Sequence, residues 1–138
     1  MRFMRKIKIT FNEYGNQKRM AFRVTSYTRG LWAELYAILA LFLRGYRVLA
    51  WRYKTSVGEV DIIAQRRGVI AFVEVKLRSD LDSGLEAVLP RAQHRISRAA
   101  SHFITHHPKY EGASLRFDVI AVSGWRLRHL DNAWHCPT

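Results

Sequence analysis

The chain has 138 residues, with 23 Lys plus Arg against 11 Asp plus Glu, a formal net charge of +12. That length suits one domain able to bury a sizeable core without cross-links, and a lone cysteine, Cys136, excludes a disulfide scaffold within the chain and points to a reducing compartment. Hydrophobic residues make up 49% and charged residues 25%, a globular rather than a disordered composition. The longest apolar run, Leu35 to Leu43, is nine residues, against about 20 for a membrane span. The N-terminus is basic but lacks the apolar core of a secretory signal. A cytoplasmic protein with no membrane partner is expected. The basic excess favours a polyanionic partner, with nucleic acid ahead of a membrane surface.

Residues 1–26 carry seven basic side chains (Arg2, Arg5, Lys6, Lys8, Lys18, Arg19, Arg23) and one acid, Glu13, which is half of the net charge. No period is sustained there. The segment reads as a mobile basic arm with short strand character around Lys6–Phe11, and Met20 offers an alternative start. A single domain is expected over residues 27–138. Residues 29–44 are rich in helix formers and apolar nearly all round, so a buried helix is predicted, with Gly45 as its stop. Strands are predicted at Arg47–Tyr53, Glu59–Ala64 and Val69–Leu77, joined by turns at Lys54–Gly58 and Gln65–Gly68. A polar loop, Arg78–Gly84, precedes a helix over Pro90–His106. That helix has Pro at its start and Ile96, Ala99, Ala100, Phe103 and Ile104 at helical spacing. Strands at Leu115–Val122 and Trp125–Leu130 follow. The order is helix, three strands, helix, two strands, which is one mixed α/β domain.

The chemistry concentrates in Gly58-Glu59-Val60-Asp61-Ile62-Ile63-Ala64 and Phe72-Val73-Glu74-Val75-Lys76. Alternate side chains of a strand share a face. Glu59 and Asp61 are therefore expected on one face of their strand, Glu74 and Lys76 on one face of the next. Val60, Ile62, Val73 and Val75 turn the other way into apolar packing. A hairpin then brings Asp61 and Glu74 together, with Lys76 one pleat on. Two carboxylates in apolar strands are costly unless compensated. A hard cation compensates them: Mg²⁺ accepts one or two carboxylates, keeps several waters, and can take a backbone oxygen such as the Val75 carbonyl. Metal-bound water is a nucleophile, and a neighbouring Lys orients it or stabilises charge on a phosphate. Glu34, the acid in the apolar helix over 29–44, also needs relief, from a metal-bound water or from Lys76. The competing interpretation of the same spacing is a solvated sheet face with cross-strand ion pairs.

The set Glu34, GEVDII, FVEVKLR and RFDVIAV resembles the YraN-like family of small bacterial proteins, over about Thr28 to Trp134. The resemblance implies a restriction-endonuclease-like core: a mixed five-stranded sheet flanked by helices, as in PD-(D/E)xK nucleases and archaeal Holliday junction resolvases. It implies Asp61 and Glu74 as metal-binding acids, Lys76 as the motif lysine and Glu34 as a support for metal through water. Gln93 matches a family Gln on the second helix. Arg116 and Asp118 match the family RFD, where Asp118 is read as a structural residue pairing with an Arg. The chain departs from the pattern at Ala92, where the family has a basic residue, and at Arg52, where it has Asn. The implied activity is Mg²⁺- or Mn²⁺-dependent endonucleolytic cleavage of DNA, including branched repair or recombination intermediates. A resolvase-like role would favour a homodimer. A non-catalytic nucleic-acid-binding module, or a subunit serving another nuclease, is the alternative.

Candidate phosphate contacts are Arg52 and Lys54 on the first strand, Arg66 and Arg67 in the hairpin turn, Arg78 after the third strand, and Arg91, Gln93, Arg95 and Arg98 on the second helix. Such contacts position a nucleic acid without reading its sequence. His102 and His106 have zinc-ligand spacing but no persuasive third ligand. Trp51, Tyr53, Phe72, Phe103, Trp125 and Trp134 are expected mostly in the core.

Overall fold

A computed structural model describes residues 11–82 and 88–135, with side chains from Tyr27 onward. Residues 6–10 of the anticipated strand, the end of the polar loop and Cys136 lie outside that description. The first helix, α1, is Phe11–Leu43. It begins well before the predicted start, so residues 11–26 are helical rather than an irregular arm. Residues 11–28 carry no apolar stripe, and periodicity reports which face is buried, not whether a segment is helical. Two compact units divide the chain, Met1–Leu31 and Trp32–Thr138. The described part of the first unit is the helical run to Leu31.

In the second unit α1 ends where Gly45 takes φ +85°. The Gly45 N–H donates to the Phe42 carbonyl and the Tyr46 N–H to the Leu41 carbonyl, both at 3.0 Å. This is a Schellman stop, and it needs a residue at ease in the left-handed region. The strands are β1 (Arg47–Lys54), β2 (Glu59–Arg66), β3 (Val69–Leu77), β4 (Ser114–Ser123) and β5 (Arg126–Trp134). Arg67 and Gly68 both take positive φ, 50° and 75°, so β2 and β3 close through a two-residue turn. The second helix, α2 (Pro90–His106), matches its predicted bounds. A 3₁₀ turn, Pro108–Tyr110, leads into β4.

The sheet order is β1-β2-β3-β4-β5. Only β3 and β4 pair in parallel, across the α2 crossover; the other pairs are antiparallel. One face packs Ala33, Ala37 and Leu41 of α1 on Ile62, Val73 and Ile120. The other packs Ile96, Ala99 and Phe103 of α2 on Val60, Ile63 and Phe72. This is an α/β restriction-endonuclease-like core, a mixed five-stranded sheet flanked by helices. The aromatic expectation holds for Phe72, Phe103 and Trp134. It fails for Trp51 and Trp125, which are exposed, Trp125 at 85%. Trp125 sits in the β4–β5 turn, where no layer covers it.

Candidate active site

The strict alternation expected of β2 breaks at Asp61. Val60 enters the α2-side core while Ile62, two residues on, enters the α1-side core. Val60 and Ile62 therefore do not share a face. The cause lies next door on β1, where Arg52 takes φ 54°. Trp51 pairs with Ile62 and Tyr53 with Val60, which sets Arg52 opposite Asp61. A left-handed residue in a strand costs about 1 kcal/mol or more, and here it re-aims three consecutive side chains. Trp51 Nε1 and Arg52 Nε both donate to Glu34 Oε2, at 2.9 and 2.7 Å. Tyr53 turns to the α2 side, where its hydroxyl lies 2.7 Å from His102 Nδ1.

The β2–β3 ladder ends at Ile62 and Val73. Beyond it the strands part, and the Asp61 carboxylate takes the place of a ladder partner. Its Oδ2 accepts the Val75 N–H at 2.8 Å. The N–H and C=O of one extended residue point to the same side of a strand, so the Val75 carbonyl faces this gap too. Glu74, beside it, is buried at 6% exposure. Lys76 Nζ lies 3.1 Å from Glu74 Oε1. From α2, Arg95 approaches Glu74 at 3.9 Å and Glu59 at 3.5 Å.

The Asp61 carboxyl lies against Glu74, and its pKa is pushed up to about 7. Burial is the largest cause. Repulsion from Glu74, and more weakly from Glu34, adds to it, while the Val75 N–H opposes it. The half-buried Asp61 carboxyl, set against the buried Glu74, therefore tends to hold its proton near neutral pH. The donors are all oxygen, with no thiol or imidazole among them. That set fits a hard divalent cation, which would replace the proton. Among the described residues no group of three or more His, Cys, Asp or Glu is disposed to share a metal. The pair therefore suits an ion that keeps several waters, as Mg²⁺ does.

Several expected residues stand elsewhere. Glu34 is held by Arg52 and Trp51, not by Lys76, although its charge still reaches Asp61. Arg52 is thereby tied to Glu34 within the chain, with its side chain partly exposed. Gln93 Nε2 donates to the Val88 carbonyl and ties down the start of α2 rather than facing the carboxylates. Arg66 donates to the Arg44 carbonyl and lies over the Tyr46 ring. It and Arg67 sit at the hairpin tip, about 17 Å along β2 from Asp61 at 3.3 Å per residue. Lys54, Arg78, Arg91, Arg95 and Arg98 are exposed. His102 and His106 stack at 4.0 Å, and their Nδ1 atoms bond Tyr53 and a helix carbonyl, so the pair serves packing. Asp118 is fully buried as a structural acid. Arg116, His129 and the Asn132 N–H bond it. Burial alone would raise its pKa, but these bonds and the Arg116 charge hold it below the usual carboxylate value.

Two residues were missed by sequence reasoning. Trp51 carries no motif, and its bond to Glu34 depends on the backbone kink at Arg52. Gly58 did carry a signal, at the head of the GEVD block. A Cβ there would collide with the Arg95 carbonyl, so only glycine lets β2 approach α2 closely enough to bring Arg95 over Glu59 and Glu74.

A restriction-endonuclease-like core with paired acids and a lysine on adjoining strands defines the class of protein. Residues 33–122 match the model of the uncharacterised protein family UPF0102. The chain is 46% identical over 112 residues to a UPF0102 protein of Parvibaculum lavamentivorans (strain DS-1), covering 80% of this chain and 84% of that one. It is 44% identical over 117 residues to one from Rhodopseudomonas palustris (strain BisA53), covering 84% and 90%. A third, from Bradyrhizobium sp. (strain ORS 278), is 48% identical over 109 residues, covering 78% and 77%. The chain belongs to the UPF0102 family, the family that the YraN-like resemblance pointed to.

Proposed function

We propose that this chain is a Mg²⁺- or Mn²⁺-dependent endonuclease acting on DNA, including branched DNA. The carrying observation is the Asp61–Glu74 carboxyl pair on parted strands, Glu74 buried and Asp61 half-buried, with Lys76 3.1 Å from Glu74. Asp61 and Glu74 would hold the cation, and the Val75 carbonyl faces the same gap. A divalent ion there supplies Lewis-acid stabilisation of a phosphoryl oxygen and a more acidic water. The Val75 N–H fixes Asp61 Oδ2, so the carboxylate is oriented in advance. Lys76 Nζ sits beside Glu74, where it would orient attacking water or stabilise charge growing on the phosphate. Arg95 is exposed and holds Glu59 and Glu74 only loosely, at 3.5 and 3.9 Å, so a phosphate oxygen could compete for its N–H donors. Glu34 acts on the pair through its charge, held in place by Arg52 and Trp51. No membrane partner is proposed; among the described residues no helix is long and apolar enough to cross a bilayer.

The test is cleavage of linear, nicked and four-way-junction DNA with Mg²⁺, Mn²⁺ or EDTA, using wild type, Asp61→Asn and Lys76→Ala. Cleavage that needs metal, and is lost in both variants while DNA binding persists, is the expected result. A folded wild type that binds DNA but cuts no substrate with either ion would move the assignment to a non-catalytic binding module.

A further inference from the structure

Along α1, Trp32, Leu35, Leu39 and Phe42 recur at three- and four-residue spacing, the seam that one helix offers another. All four are open to solvent, Trp32 at 65% and Phe42 at 69%, and Leu43 beside them at 75%. The opposite side of the same helix, Ala33, Ala37 and Leu41, is buried against the sheet. The open seam is therefore not the core-facing stripe. Glu34 is the only charged residue between Leu31 and Leu43, and it is turned to Arg52 and Trp51. The seam residues themselves carry no charge; the one charged side chain at the adjoining groove is the exposed Arg47, which closing the seam would leave at its rim. At its C-terminal end the helix borders an apolar groove of about 520 Å³, lined by Leu35, Ile38, Leu39, Phe42, Tyr46 and Val48.

The protruding Trp32 and the groove at Phe42 lie about 15 Å apart on one helix face. A two-fold axis near position 37 would match each with the other: Trp32 meets Phe42 and its groove on the second copy, and Leu35 meets Leu39. The areas agree with such a contact. Trp32 and Phe42 leave on the order of 300 Å² of side chain open, which already reaches the largest apolar patch of a typical monomer. The three leucines bring the face towards the ~800 Å² per partner of a stable interface.

We infer that the exposed seam of α1 is a self-complementary dimer interface, in which two copies pair antiparallel about residue 37. The inference stands independently of the nuclease reading. It is tested by sedimentation of the full chain at micromolar concentration. Wild type is expected to be a dimer. Leu35→Glu and Leu39→Lys are each expected to weaken association by about a hundredfold with an unchanged far-ultraviolet circular dichroism spectrum. Mixing the two variants should restore dimers, because the antiparallel register sets Glu at 35 against Lys at 39. A parallel pairing would not do so. A monomeric wild type, single variants that remain dimeric, or a mixture that stays monomeric would each overturn the proposal. So would variants that lose their helical signal, which would show that the face is covered within its own chain.

Discussion

Asp61 carries the strongest electrostatic conflict in the site. Its carboxyl is desolvated and faces Glu74, so its folded pKa is about 7 against an ordinary 3.8. Below about pH 4 both folded and unfolded chains hold this proton. Between that pH and 7 the folded state holds it more tightly, so stability from this group is lost as pH rises through the folded value. Asp118 has the opposite sign: its depressed pKa gives stability above the ordinary Asp value, lost on acidification. Asn at position 61 keeps an acceptor for the Val75 N–H without the charge. In divalent-free buffer, Asp61→Asn is expected to be more stable than wild type by about 1–3 kcal/mol at pH 8. That advantage should grow between pH 4 and 7 and level off above, as read from urea denaturation across pH. A pH-independent difference would remove the conflict from this residue.

The site depends on how its elements are brought together. Gly58 lets β2 touch α2, and that contact places Arg95 over Glu59 and Glu74. Gly58→Ala must push the backbones apart, and a loss of about 1–3 kcal/mol in stability is expected. Calorimetric melting measures that loss. The same variant should weaken DNA binding as much as Arg95→Ala does, because the helix that carries Arg95 has moved. Much of this frame was legible in the sequence. The GEVD and VEVK blocks placed Asp61, Glu74 and Lys76 on adjoining strands, and the α2 pattern gave its bounds. What escaped was backbone irregularity. Nothing in the residue types at 51–53 announces a positive φ at Arg52, so strict alternation put Ile62 with Val60 and left Arg52 facing solvent. The reach of α1 back to Phe11 escaped because the residue types over 11–28 repeat at no helical period.

Over the whole molecule, charge is unevenly divided. The chain is +12, yet Glu34, Glu59, Asp61 and Glu74, four of its 11 acids, gather around one gap between strands. Arg95 of α2 reaches Glu59 and Glu74 at that gap, and Arg91 and Arg98 are exposed on the same helix, whereas Arg66 and Arg67 stand at the far hairpin tip. Joint replacement of Arg91 and Arg98 by Ala should therefore weaken DNA binding and lower the salt slope of log affinity by about 1–2. Replacing Arg66 and Arg67 should change neither, as fluorescence anisotropy across salt concentrations would show. Equal effects from both pairs would mean that the basic excess acts without regard to the site. Calorimetric titration of Mn²⁺ into wild type and Asp61→Asn tests most directly whether the Asp61–Glu74 pair exchanges its proton for a divalent cation, as proposed. The expected result is one site in wild type that binds about tenfold more tightly at pH 8 than at pH 6 and releases protons at the lower pH, with the site lost in Asp61→Asn. Equal Mn²⁺ binding by the variant, or binding with no dependence on pH, would contradict it.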